Sequence, residues 1–211
     1  MKVHNDLLME LSDFVPKSFC DHLIRKFEKD DNKQLGRVCY EGEYMYKPEM
    51  KQSTEIYVSS DPNYVEEDKV LYKYIHTAVE LYTKYLNNEY NFNQCIHTFR
   101  PLLNCVQNGL TDKGYSIQRQ ERGSIYRWHY DSENNSYLFG MLYLNTLEPH
   151  EGGCTEFING RKVRPECGKI MLCPASWTYA HCGNEVKGDY KYTVTFMVYM
   201  DDKAIKDYNE I

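Results

Sequence analysis

No stretch of the 211-residue sequence is apolar for long enough to cross a bilayer as a helix, which takes about 20 residues. The opening Met-Lys-Val-His-Asn-Asp lacks the unbroken apolar run of a secretory leader. The eight cysteines include no CxxC pair, which argues against ribbon-type zinc sites and thioredoxin-like motifs, and a chain of this length does not need disulfides to hold a core. Positive charge is in deficit: 25 Lys and Arg face 31 Asp and Glu, for a formal charge of -6 and a pI near 5.7. A broad basic face for gripping phosphate backbones is therefore not expected. Internal repeats, linkers and low-complexity segments are missing too, so one core should serve the whole chain. Together these absences predict a soluble protein of the reducing cytoplasm that uses neither nucleic acid nor membrane.

What is present is a folded composition, with charges of both signs mixed along the chain and twenty tyrosines. Arg119, Arg122 and Arg127 form one local basic group and Arg161, Lys162 and Arg164 another, each expected to be solvated surface charge. After Pro16, the positions Cys20, Leu23, Ile24 and Phe27 fall at i, i+3, i+4 and i+7, one apolar face of a helix. Leu71, Tyr74, Ile75, Ala78, Tyr82 and Leu86 repeat that spacing over about 65–86, with Asn87-Asn88 as the expected stop. Between them, 41–46 reads as loop and 54–59 as a short strand. From Tyr115 the runs shorten and Gly, Asn and Pro punctuate them, which predicts strands near 115–120, 124–131, 137–144, 154–158, 169–173, 176–181 and 190–200. The expected architecture is a single α+β domain over 1–211, helical to about 110. Over 111–200 a β-sandwich or jelly roll follows, with the helices packed on one sheet.

Chemistry concentrates in Tyr126-Arg-Trp-His-Tyr-Asp131, where His129 and Asp131 stand two apart in an extended stretch and project to the same side. His181, after the run 175–180, is the best third ligand on a neighbouring strand. Two imidazoles and a carboxylate on one face of an ion leave the opposite positions open, the arrangement suited to iron(II) that must bind an organic co-substrate and O2. His-x-Asp alone carries little information, and His4, His22, His76, His97 and His150 have no comparable partners. Ten residues beyond His181, Lys191 opens a strand on which Thr193 shares its face. A dicarboxylate chelating the metal at one end needs such a cation for its far end, because a buried unpaired carboxylate is costly.

The ordered blocks are Gly123, Tyr126, His129-x-Asp131, then Leu142-Tyr-Leu-Asn145, then Glu151-Gly-Gly153-x-Thr-Glu-Phe157. They continue as Pro165 with Gly168-Lys-Ile-Met-Leu172, then His181-x-Gly183 with Val186, Gly188 and Lys191. This pattern resembles the prolyl 4-hydroxylase-like branch of the iron(II)/2-oxoglutarate oxygenases, over roughly 115–200. The N-terminal segment from Leu11 through Phe27 is similar to the helix that opens such domains. The resemblance implies a double-stranded β-helix fold. It implies His129, Asp131 and His181 as iron ligands, and Lys191 as partner of the C5 carboxylate of 2-oxoglutarate. Tyr143, Thr193 and Gln120 are further co-substrate contacts, Gln120 standing where relatives often carry a Tyr. The Gly152-Gly153 pair looks like a loop beside the substrate mouth.

The implied reaction consumes O2 and 2-oxoglutarate, releases succinate and CO2 and hydroxylates a substrate, with ascorbate as a candidate auxiliary reductant. Peptidyl proline is the leading substrate class. Ser136, in the region where peptidyl-proline enzymes often have an Arg, and Met197, where relatives often have a Trp, depart from the pattern. A small molecule or free amino acid is therefore the alternative substrate, and a non-catalytic metal-binding jelly roll is the rival from another class. The loops 36–53 and 132–136 are the expected substrate-recognition segments.

Overall fold

The computed structural model of the chain describes residues 2–3, 7–40, 43–90, 112–131 and 136–199. Along these run β1 (Lys2–Val3), β2 (Met9–Leu11), α1 (Lys17–Lys29), β3 (Gln34–Leu35), β4 (Val38–Tyr40), β5 (Glu43–Met45), β6 (Thr54–Tyr57) and α2 (Val65–Tyr90). There follow β7 (Ser116–Glu121), β8 (Tyr126–His129), β9 (Ser136–Tyr143), β10 (Thr155–Phe157), β11 (Lys162–Val163), β12 (Ile170–Pro174), β13 (His181–Gly183) and β14 (Tyr190–Tyr199). An eight-stranded sheet has the order β1-β2-β12-β9-β14-β7-β6-β3, and a four-stranded sheet has the order β11-β10-β13-β8. The expected α+β jelly roll with helices on one sheet is what the chain adopts.

The period-two alternation of β14 explains the layering. Tyr192, Val194, Phe196 and Val198 join a core with Leu23 and Phe27 of α1 and Leu71, Ile75, Ala78 and Tyr82 of α2, so both helices cover this face of the large sheet. Lys191, Thr193, Thr195, Met197 and Tyr199 point the other way, into a cavity between the sheets. Beside that cavity an inner apolar cluster of Leu8, Phe139, Tyr143, Phe157, Met171 and Cys173 joins the two sheets.

The two helices are tied to each other as well as to the sheet. Glu67, in the first turn of α2, accepts from Lys26 Nζ of α1 at 2.7 Å and meets His22 Nε2 at 2.7 Å. Burial pushes the Glu67 carboxyl up, but these hydrogen bonds outweigh it and hold the group below its ordinary value. The segment entering α1 is clamped at Gly168, whose carbonyl accepts from the N–H groups of Phe14 and Val15, each at 3.0 Å. Gly168 has a φ of +78°, and a Cβ there would lie 2.2 Å from the carbonyl oxygen of Val15.

Three differences from the sequence reading have physical causes. Helix α2 passes through Asn87 and Asn88 to Tyr90, because Leu86 is buried and Asn in a helix interior costs less than such an anchor supplies. The strand expected over 176–181 is instead a single 3-10 turn, Trp177–Tyr179, and pairing begins only at His181 opposite Phe157. Trp177 is 70% exposed, so its aromatic character does not mark a buried strand. The N-terminal part also contributes unexpected strands: β2 pairs with β12, and the segment 41–46, expected as loop, carries β5, which pairs with β4; the expected strand over 54–59 is β6, paired with β7. The expected helical half from 91 to 110 lies outside the described residues. Among the described residues, no helix is long and apolar enough to cross a membrane.

Candidate metal centre and co-substrate cavity

Strand β8 carries His129 and its antiparallel neighbour β13 carries His181 directly opposite, so pairing of the two strands brings both imidazoles together. Their ring centroids are 4.3 Å apart. Asp131, two residues past His129, places one carboxylate oxygen 3.9 Å from His129 Nε2 and the other 3.4 Å from His181 Nε2. One ligand atom from each of the three residues lies within 4.8 Å of the others.

The outer nitrogens of both rings are tethered to the backbone. His129 Nδ1 is 2.8 Å from the carbonyl oxygen of Arg127, and His181 Nδ1 is 3.1 Å from that of Tyr179. A carbonyl can only accept, so each Nδ1 holds a proton and each Nε2 is the ring atom turned toward Asp131. Burial, the neighbouring His181 ring and Lys51 hold His129 well below the usual imidazole range, against the pull of the Arg127 carbonyl, so its ring stays neutral. Stacking fixes the ring planes: Tyr126 lies 3.7 Å from His129, and Phe139 lies 4.7 Å from His181. Two imidazoles tethered through Nδ1 and a carboxylate are the donor set that iron(II) takes in a facial triad.

The triad opens on a cavity of about 500 Å³. Lys191, 2% exposed, lines the same cavity, and among the described residues no carboxylate pairs with it. Burial pushes its ammonium down to about 8, only partly offset by the thiols of Cys154 and Cys182. A buried cation without a counter-charge is the fitting partner for an anionic ligand that enters the cavity.

The other expected contacts divide. Gln120 is the cross-strand partner of Lys191, and both Gln120 and Thr193 line the cavity. Tyr143 is fully buried beside them: the Lys191 ammonium lies 5.8 Å from its ring, and its hydroxyl makes a 2.7 Å hydrogen bond with the Oγ1 of Thr155, which lines the cavity. The Gly152-Gly153 loop packs against Lys191, since a Cβ on Gly153 would lie 3.4 Å from Lys191 Cδ. Met197 lines the cavity, whereas Ser136 hydrogen-bonds the carbonyl of Asp131. Of the aromatic residues around the ligands, Tyr126 faces the cavity while Trp128 and Tyr130 are half exposed.

Arg37, Lys51 and Lys113 line the same cavity, whereas four other basic residues are engaged elsewhere. Lys169 is taken up by Glu10 and Glu166, each at 3.0 Å, Arg119 pairs with Glu28 and Glu121, Arg122 pairs with Asp189, and Arg127 donates to the carbonyl of Glu49. Sequence reasoning missed Thr155, and it missed Lys51 and Glu55, which form a buried ion pair on the cavity wall. Thr155 lies in the block 151–157 and Lys51 in the loop 36–53 expected to meet substrate, but nothing local marks either Lys51 or Glu55 as half of a buried pair.

A sequence model of the 2OG-Fe(II) oxygenase superfamily matches residues 115–199, the segment from β7 to β14 that carries the triad and Lys191. The chain carries a 2OG-Fe(II) oxygenase domain. By that family it is a 2-oxoglutarate-dependent dioxygenase. Solved structures share the oxygenase's fold at low sequence identity. A Pseudomonas putida prolyl-4-hydroxylase is 14% identical with a TM-score of 0.62, over 93% of this chain and 94% of that one. The viral collagen prolyl hydroxylase of Paramecium Bursaria Chlorella virus-1, solved with 2OG, is 17% identical with a TM-score of 0.62, over 93% and 98%. A Trichoplax adhaerens prolyl hydroxylase, in complex with a peptide fragment of the hypoxia inducible factor oxygen degradation domain, is 13% identical with a TM-score of 0.66, over 95% and 86%. No curated protein matches the sequence.

Proposed function

We propose that the oxygenase hydroxylates proline within a peptide chain, with His129, Asp131 and His181 holding iron(II) and Lys191 holding the far carboxylate of 2-oxoglutarate. The observation that carries this reading is the buried ammonium of Lys191, without a carboxylate partner among the described residues, on the same cavity as the triad. When bound, iron and 2-oxoglutarate supply the O2-dependent oxidation of a substrate C–H bond, with release of succinate and CO2. The protein's own share is positional. The Arg127 and Tyr179 carbonyls fix both tautomers, and Phe139 and Tyr126 keep the rings from turning. Gln120, Thr155 and Thr193 offer hydrogen bonds around Lys191. Lys191 orients and neutralises a carboxylate and moves no proton in the oxidation.

A chain-like substrate is supported by the shape of the cavity, which is lined along β14 from Lys191 to Tyr199. At about 3.3 Å per residue those eight steps span roughly 26 Å, longer than a co-substrate alone requires. The proline assignment rests on likeness of fold to the prolyl hydroxylases and on the motif order. Ascorbate enters the proposal only as an auxiliary reductant, to be tested by leaving it out of turnover. We also assign the oxygenase to the cytoplasm, a reading supported by the free thiols of the six described cysteines.

The test is a mass-spectrometric search for the gain of one oxygen atom across proline-containing peptides, free amino acids, protein extracts and metabolite pools, with and without iron(II). Iron-dependent oxygen gain on a peptidyl proline is the expected result. Gain confined to free amino acids or metabolites would overturn the peptide assignment while leaving the oxygenase chemistry intact.

A further inference from the structure

Lys51 and Glu55 form the most deeply buried ion pair on the cavity wall, with 8% and 2% of their side chains exposed. Lys51 Nζ lies 2.5 Å from Glu55 Oε1, and the Ser53 hydroxyl donates to the same oxygen at 2.7 Å. The ammonium also sits 5.2 Å above the Tyr126 ring, whose other neighbour is the His129 imidazole at 3.7 Å. One aromatic ring therefore separates this pair from a metal ligand. The backbone reinforces the placement, with Lys51 bridged to Tyr126 and β6 paired with β7.

A pair this buried contributes little to stability compared with two apolar side chains of the same volume, because desolvation offsets the attraction. Its bonding capacity is also incompletely used. An ammonium has three N–H donors, and Glu55 Oε1 takes one. The Ser53 hydrogen bond and the Lys51 ion-pair contact both fall on Glu55 Oε1, and no hydrogen bond reaches Oε2 among the described residues. The pair thus offers the cavity a donor and an acceptor side by side at zero net charge. Its complement is a neutral group that accepts and donates together, which is a main-chain amide. A free amino acid would bring an ammonium and a carboxylate, and an already neutralised pair gives neither an uncompensated partner.

We propose that Lys51 and Glu55 recognise the substrate's main chain, Lys51 donating to a carbonyl and Glu55 Oε2 accepting from an N–H beside the residue to be oxidised. This rests on the peptide reading above and makes the pair the determinant that separates a peptide from a free amino acid. The experiment compares wild type, the apolar double variant K51M/E55L and the charge-swapped K51E/E55K, using as probes the best proline-containing peptide from the screen and free L-proline. Iron(II) and 2-oxoglutarate binding is followed anaerobically by the visible charge-transfer band.

Both variants should keep 2-oxoglutarate affinity within about twofold, while the peptide KM rises roughly tenfold to a hundredfold, the effect of losing one hydrogen bond to a charged group. The swapped pair restores an ion pair but reverses donor and acceptor, so its peptide KM should stay high; a purely structural role would be rescued by the swap. An unchanged peptide KM in K51M/E55L, or full rescue by K51E/E55K, overturns this inference and leaves the peptide reading standing. A wild-type enzyme that oxidises free amino acids or metabolites but no peptide overturns both.

Discussion

Replacing Lys191 by Met should have two effects of opposite sign, and their coupling tests the assignment more sharply than loss of activity would. The ammonium is 2% exposed, and burial moves it from 10.5 to about 8. At ~1.4 kcal/mol per pH unit, that drop means the folded protein without 2-oxoglutarate carries a penalty of ~3 kcal/mol whenever Lys191 is charged. Below pH 8 the folded and unfolded states are both protonated and the penalty is complete. Between about 8 and 10.5 the folded state has released its proton while the unfolded state retains it, so stability rises with pH across that window. Lys191→Met removes the penalty, and at pH 7 it should raise the unfolding free energy in urea by up to ~3 kcal/mol. Other groups titrate in the same window with the opposite sign; burial pushes the Cys20 thiol up to about 12, for example. The quantity to read is therefore the difference between wild type and variant, which should shrink as pH rises from 8 to 10.5. Toward 2-oxoglutarate the variant should fail: leaving its far carboxylate buried and unpaired costs about 3–5 kcal/mol, a Kd weaker by roughly a hundredfold to several thousandfold. Anaerobic titration with iron(II), read by the charge-transfer band, measures this. A Kd within threefold of wild type would refute the role given to Lys191.

Three further changes probe other parts of the structure. His129→Ala or Asp131→Ala should abolish the iron-dependent, substrate-independent production of succinate; undiminished turnover with excess iron would remove those residues from the metal site. Glu67→Gln should cost about 1–3 kcal/mol in urea denaturation at pH 7, because hydrogen bonds from Lys26 and His22 hold the carboxylate. The Glu67 carboxyl lies below its ordinary 4.5, so its contribution is present above that pH and is lost as pH falls through the folded value; the gap between variant and wild type should therefore close in acid. Gly140→Ala would place a Cβ 2.1 Å from the Phe196 ring, and overpacking there should lower stability by about 1–3 kcal/mol, as thermal unfolding would show.

Helix α1 was legible because, of the four residues its spacing selected, Cys20, Leu23 and Phe27 are fully buried and Ile24 is partly so. The three proposed ligands were legible for a different reason. His129 and Asp131 stand two apart in an extended stretch, and the later blocks suggested a neighbouring strand for His181, which pairs with His129 itself. Short strands gave no such signal, since the three residues of β2 become a strand only through pairing with β1 and with Met171 and its neighbours in β12. The pair Lys51 and Glu55 was invisible for the same reason. Its burial is created by β6 docking on β7, a contact between segments some sixty residues apart, and no local period reports it. At Trp177 the aromatic signal misled, because the side chain faces solvent beside a 3-10 turn.

Strand β14 joins the helical layer to the chemistry. Its helix-facing residues Tyr192, Val194, Phe196 and Val198 bury apolar surface against α1 and α2, which supplies the free energy that holds the strand in register. Its other face carries Lys191 in surroundings that penalise its charge, and a penalty of ~3 kcal/mol in the ligand-free state is tolerable only because that apolar face anchors the same backbone. Glu28 of α1 reaches across to hydrogen-bond the Tyr192 hydroxyl at 2.8 Å, one residue from Lys191, so the helices reach the ammonium through a single peptide unit. The penalty on Lys191 is also what an anionic ligand relieves on binding. Under the role proposed for Lys191, co-substrate binding and domain stability are linked through one side chain, and 2-oxoglutarate should stabilise the fold by more than its contacts at the metal alone would provide.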